Sequence, residues 1–215
     1  MEFKQTLKQR ANQVESLLKE YMPSEEGYQK TIMESMNYSL SAGGKRLRPI
    51  LTMEACKVVG GNVEDAIPFA MAIEMIHTYS LIHDDLPALD NDDLRRGKPT
   101  NHKVYGEDIA VLAGDALLNE AMNVMMKFSL NHGREALVAS QKIAEAAGAE
   151  GMIGGQVVDI INEGKKISEE ELRYMHMKKT GALIKVSIVA GAILGNASEE
   201  EIELLEKFGE NLGLA

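Results

Sequence analysis

Tryptophan is absent from this 215-residue sequence, and aromatic residues make up only 5% of it. A single cysteine, Cys56, excludes an internal disulfide, which suits a reducing compartment. Only five prolines occur, while Ala, Leu, Glu, Lys and Met, all helix formers, are plentiful. The alternation and turn dipeptides of strand hairpins are missing. Basic side chains are outnumbered 23 to 33, for a net charge of -10. That balance excludes the broad cationic footprint of a nucleic-acid binder, so any bound anion must meet a local basic cluster. No run reaches the roughly 18 uncharged apolar residues of a membrane span. Met1–Gln5 has no apolar stretch of the signal-peptide kind. What remains, with 45% hydrophobic residues, is the profile of one helical domain over residues 1–215, expected in the cytoplasm.

Apolar residues recur at helical spacing. Leu7, Ala11, Val14, Leu17, Leu18 and Tyr21 predict an amphipathic helix over 4–21. A second helix is expected over 28–41, ended by Gly43-Gly44, and a third from Pro49 to Val59. Residues 64–84 form the most apolar stretch, where Glu74 is the one charge between Ala66 and Ile82, so this helix should be buried on most sides. Residues 86–106 read as loop with some helix. Further helices are expected over 107–130, 134–162, 168–194 and 198–212, the last capped by Ser198.

The strongest chemical signal is the segment His83–Lys98. It holds five aspartates within ten positions (Asp84, Asp85, Asp90, Asp92 and Asp93), followed by Arg95, Arg96 and Lys98. Acidic runs are commonly solvated surface, but this one lies at the C-terminal end of the most apolar helix. The helix dipole is already negative there, so the carboxylates need a compensating cation. A hard divalent ion fits, Mg²⁺ above all, held by one or two carboxylates and completed by substrate phosphate. Asp90 follows Asp84 by six positions, which a regular helix would set roughly 120° apart. A break between Leu86 and Leu89, at Pro87, is therefore expected if both are to face one cavity.

Gly43-Gly-Lys-Arg-Leu-Arg48-Pro49 reads either as an exposed basic loop or as an anion site at a helix start. Gln156 and Asp159 share one helical face in Gly155-Gln-Val-Val-Asp159; read alone they are a polar patch at a helix contact. Lys178-Lys-Thr-Gly181 precedes an apolar helix, where its lysines suit a snorkelling edge equally well.

Taken in this order, GGKRLRP at 43–49, MIHTYSLIHDDLPALDNDDLRRGKPTNH at 75–102, GDALL at 114–118, GQVVD at 155–159, KKTGAL at 178–183 and FGENLGLA at 208–215 resemble the trans-polyprenyl diphosphate synthases. The resemblance implies an all-α fold, a helical bundle around a deep central cavity (the isoprenoid synthase fold), and a homodimer. It implies a prenyltransferase that condenses isopentenyl diphosphate with an allylic diphosphate. Asp84 and Asp90 then correspond to the Mg²⁺ ligands, with Asp85 in support. Arg95 corresponds to a residue holding the allylic diphosphate. Lys45, Arg48, His77 and Arg96 correspond to the isopentenyl diphosphate site, and Gln156, Lys179 and Thr180 to the allylic side. Asp159 matches the motif with a less defined role.

By the same resemblance, Tyr79 and Ser80, five and four residues before Asp84, help form the floor that sets product length. Five helical residues span about 7.5 Å, a workable depth, although Tyr79 is rotated roughly 140° from Asp84 on the helical wheel. Tyr79 with the inserted Pro87 and Ala88 resembles the bacterial farnesyl type. A geranylgeranyl-type synthase or a non-catalytic partner subunit are the alternatives. The family's second aspartate-rich motif follows the segment that matches 208–215. The chain is therefore expected to lack C-terminal helices and to have little turnover by itself.

Overall fold

The computed structural model describes residues 3–214. Ten α-helices are distinguished among them: α1 (Phe3–Leu18), α2 (Lys30–Leu40), α3 (Leu47–Val58), α4 (Val63–Asp84), α5 (Asn101–Tyr105), α6 (Glu107–Ala147), α7 (Met152–Asn162), α8 (Glu169–His176), α9 (Ala182–Leu194) and α10 (Glu199–Leu214). A π-helical turn, Met177–Gly181, joins α8 to α9. The strands β1 (Leu94–Arg95) and β2 (Lys98–Pro99) pair as a short antiparallel hairpin. The all-α expectation therefore holds, with this hairpin as the one departure. It escapes a search for alternating runs because each strand is two residues long.

α4 forms the axis. Asn62 caps it, accepting from the Glu64 amide, and Glu64 and Asp65 lie in the first turn, where carboxylates suit the dipole. Phe69, Met71, Ile73, Met75 and Ile76 have no exposed surface, because α4 is enclosed by α3, α6 and α9. α6 meets it with a stripe at helical spacing: Ala110, Ala113, Leu117, Ala121 and Met125. At roughly 1.5–3 kcal/mol for each large apolar side chain removed from water, α4 is the main contributor to the core.

By length and composition alone, the stretch Glu107–Asn162 holds an 18-residue window apolar enough to cross a membrane, with mean hydropathy 1.3. In the fold that stretch is interrupted at Gly133, whose φ is 84°, and again after Ala147. The expected gap between residues 130 and 134 corresponds to the first break. Ser168 and Glu171 form a capping box at the start of α8. Ser198 and Glu201 exchange the same pair of bonds ahead of α10.

Candidate active site

α4 stops at Asp84 and the chain folds back on itself. The Leu89 amide donates to the Leu86 carbonyl, the Asn91 amide to the same carbonyl, and the Asp90 amide to the Asp84 carbonyl at 2.8 Å. Pro87, which has no amide hydrogen, sits inside this turn. The expected break is present, and it returns Asp90 to Asp84. Burial pushes the Asp84 carboxyl up to about 6; Lys179 opposes the shift and Asp90 adds to it. A half-buried Asp84 carboxyl, with exposed Asp90 folded back beside it, suits a divalent cation. Among the described residues no group of three or more His, Cys, Asp or Glu side chains forms a metal cage. Brought together by the turn, Asp84 and Asp90 could supply the one or two carboxylates that Mg²⁺ takes, with water and phosphate in its remaining positions.

Asp85 is buried and serves differently. Both its oxygens accept from the Arg95 Nε at 2.8 Å, and Oδ1 also accepts from Nη2 at 2.5 Å. This pair raises the Arg95 pKa and fixes β1 against the end of α4. Arg95 thus lines only a narrow cleft near Asp85, while the other cationic candidates face the larger cavities.

The hairpin turn places Arg96 and Gly97 at φ 54° and 79°, the doubly left-handed geometry of a two-residue hairpin. Arg96 then lies under Gly44. A Cβ added at Gly44 would fall 2.6 Å from Arg96 Nη1 and displace the guanidinium, and the φ of 143° at Gly44 itself favours glycine.

A cleft of about 450 Å³ is lined by Gly44, Lys45, Arg46, Leu47, Arg48, Glu74, His77 and Arg96. Burial, then Arg48 and Arg96, hold the His77 imidazole well below its usual pKa, so it is neutral in the empty cleft. Arg48 is buried enough to lower its own pKa, and its Nε has no partner. A desolvated, unpaired guanidinium donor calls for an anion.

A second cleft, of about 430 Å³, lies between α4 and α7. Tyr79, Ser80, His83, Asp84 and Leu89 come from α4 and its turn, Met152, Ile153, Gln156, Val157 and Ile160 from α7, and Lys179 and Thr180 from the π turn. Tyr79 and Ser80 both line it with Asp84, despite the wheel angle between Tyr79 and Asp84. The Tyr79 hydroxyl is buried without a partner, and burial with Asp84 pushes its pKa up to about 12. Gly155 lets α7 approach the π turn: a Cβ there would sit 2.2 Å from the Lys179 amide nitrogen. That approach brings Lys179 Nζ to 2.5 Å from Asp159 Oδ2. The two clefts share Arg48 and His77.

Three features went unrecognised in the sequence. One is the buried Arg46–Glu74 pair; its signal was present, since a lone carboxylate in an apolar helix requires a cation. Another is the π turn, a distortion often found at functional sites. The third is His83, whose Nε2 lies 3.0 Å from the Val111 carbonyl and ties the end of α4 to α6.

Comparison with known proteins agrees with this architecture. The chain is 46% identical over 213 residues to the farnesyl diphosphate synthase of Geobacillus stearothermophilus, covering 98% of this chain and 71% of that protein. It is 53% identical over 189 residues to the large subunit 1 of the heterodimeric geranylgeranyl pyrophosphate synthase of Arabidopsis thaliana, covering 85% of this chain and 51% of that one. The chain thus spans about half the length of the plant relatives it matches. A crystal structure of an FPP/GFPP synthase from Zymomonas mobilis superposes with a TM-score of 0.90 at 38% identity, covering 98% of this chain and 77% of that chain. The profile of the family described as Polyprenyl synthetase matches residues 29–215, and with the fold and the relatives it places this chain in that family.

Proposed function

We propose that this site transfers an allylic group, dimethylallyl or geranyl, from its diphosphate to isopentenyl diphosphate, with farnesyl diphosphate as the product. The observation that carries this reading is the pair of clefts, one cationic and one mainly apolar with Asp84 in its wall, which meet at Arg48 and His77. Lys45, Arg48, His77 and Arg96 hold the isopentenyl diphosphate. Asp84 and Asp90 would hold Mg²⁺, which would supply positive charge against the departing diphosphate. Lys179, Thr180 and Gln156 serve the allylic side, where the Lys179 charge stabilises the anion released when the allylic C–O bond breaks, and Arg95, paired with Asp85, steadies the hairpin nearby. Met152, Ile153, Val157 and Ile160 keep water from the carbocation. The new C–C bond forms at the isopentenyl double bond, and the proton lost afterwards passes to the released diphosphate.

Tyr79 in the cleft wall supports the farnesyl product. The plant relatives, at 52–53% identity and named geranylgeranyl pyrophosphate synthases, favour the longer product as the second reading. We further propose a homodimer working in the cytoplasm. The test is titration calorimetry with isopentenyl diphosphate, then chromatography of products formed from geranyl diphosphate, isopentenyl diphosphate and Mg²⁺. Binding that Lys45→Ala or Arg48→Ala weakens about tenfold, the loss of one charge-assisted hydrogen bond, supports the site. No binding overturns it, and a C20 main product overturns the farnesyl assignment.

A further inference from the structure

Arg46 stands between Lys45 and Arg48, yet its side chain has a different destination. Its Nε donates to Glu15 Oε1 at 2.7 Å, its Nη1 to Glu74 Oε1 at 2.5 Å, and its Nη2 to the Leu40 carbonyl at 2.5 Å. These acceptors belong to α1, α4 and the end of α2. Arg46 is 3% exposed and Glu74 is 2% exposed. The backbone at Arg46 is left-handed, with φ 48° and ψ 34°. An arginine keeps that conformation only when its surroundings hold it there. All three nitrogens of its guanidinium are engaged, so the group has little left to offer an anion, whereas Arg48 Nε is unpartnered and Lys45 is exposed.

We infer that Arg46 is a positioning residue for the anion cleft: it ties the 41–46 loop to α1, α2 and α4, and so presets Lys45 and Arg48 toward one diphosphate without touching it. The left-handed residue turns the chain between the loop and α3. Its side chain forms part of the cleft floor with its three nitrogens turned to protein acceptors, while exposed Lys45 and the unpartnered Arg48 Nε keep donors for the cleft. Glu74 explains why an arginine is needed. It lies beneath the same cleft and would repel an anion if left uncompensated. Lysine has one compact charge and cannot reach three acceptors in a planar fork. The inference rests on reading the cleft as a diphosphate site.

The experiment measures binding of inorganic diphosphate, without divalent cation, by titration calorimetry. Arg46→Met removes the tether but strands Glu74, so Arg46→Met/Glu74→Met, which deletes the buried pair as a unit, is the variant expected to keep the fold. Its diphosphate affinity should fall about tenfold. Lys45→Ala should cost about tenfold in the wild type but less than about twofold in the double variant, because an untethered Lys45 no longer acts with Arg48. Arg46→Lys should not restore wild-type affinity. Affinity within twofold of wild type in the double variant, an undiminished Lys45→Ala effect there, or full rescue by Arg46→Lys would each overturn the tether. Failure of the wild-type protein to bind diphosphate would instead overturn the reading of the cleft, and the tether with it.

Discussion

Tyr79 fills part of the apolar cleft with a ring that stacks edge-on against His83, their centroids 5.7 Å apart. Behind it, His83 is pinned to the Val111 carbonyl, so the ring cannot easily retreat. Removing the ring should lengthen the cleft. Tyr79→Ala is expected to gain affinity for the C20 diphosphate relative to the C10 one, measured by competition binding with Mg²⁺. An unchanged ratio would show that the ring does not set the length. His77 offers a test of a different kind. Its native pKa lies well below 6.5, because of burial and then Arg48, Arg96, Arg46 and Arg95. As pH falls below 6.5 the unfolded chain takes up a proton that the native protein refuses, so native stability declines, and it recovers as pH rises again. His77→Asn lacks this linkage. The melting temperature of wild type minus that of the variant should therefore fall between pH 7.5 and pH 5.5. Asp84, whose carboxyl shifts the other way, is present in both proteins and cancels. Parallel profiles would mean that His77 is solvated after all.

Elements with strong periodicity were legible. α1 to α4 and α10 match the expected spans within a few residues, because their apolar faces and caps agree with one another. α4 was unmistakable because a run of that length with Glu74 as its one charge between Ala66 and Ile82 has no alternative but the core. Among the site residues, Lys45, Arg48, His77 and Arg96 gather in one cleft, and Asp84, Tyr79, Ser80, Gln156, Lys179 and Thr180 in the other. Local pattern could not reveal the hairpin, whose purpose is to seat Arg96 under Gly44, or the π turn, which is defined by its packing against α7. Both are tertiary facts written in single residues. Gly155 is the sharpest of these, since the backbone of the π turn occupies the place of its Cβ. Gly155→Ala must separate α7 from that turn. A destabilisation of about 1–3 kcal/mol in urea unfolding is expected, with loss of Mg²⁺-dependent geranyl diphosphate binding as Lys179 and Asp159 part. A variant of wild-type stability and affinity would mean that α7 tolerates the shift.

At the scale of the whole molecule, α6 carries exposed apolar residues on one face, interspersed with Asn119 and Asn123. On α6, Leu112, Met126 and Leu130 lie along one stripe before the Gly133 break, and Leu130 is 84% exposed. Single exposed leucines need no explanation, but an aligned set on the longest helix has the form of an association surface. The proposed homodimer has an electrostatic cost, because each chain carries a net charge of -10. Repulsion between like-charged chains is screened over about 8 Å at physiological ionic strength, whereas apolar burial is not weakened by salt. A dimer held by α6 should therefore tighten as salt rises toward about 0.5 M, the reverse of one held by ion pairs. Sedimentation equilibrium across that range reads the trend directly. Leu112→Lys/Leu130→Lys should give a monomer at every salt concentration with the helical content of the wild type. A dimer that survives the double substitution, or one that weakens with salt, would move the contact away from α6.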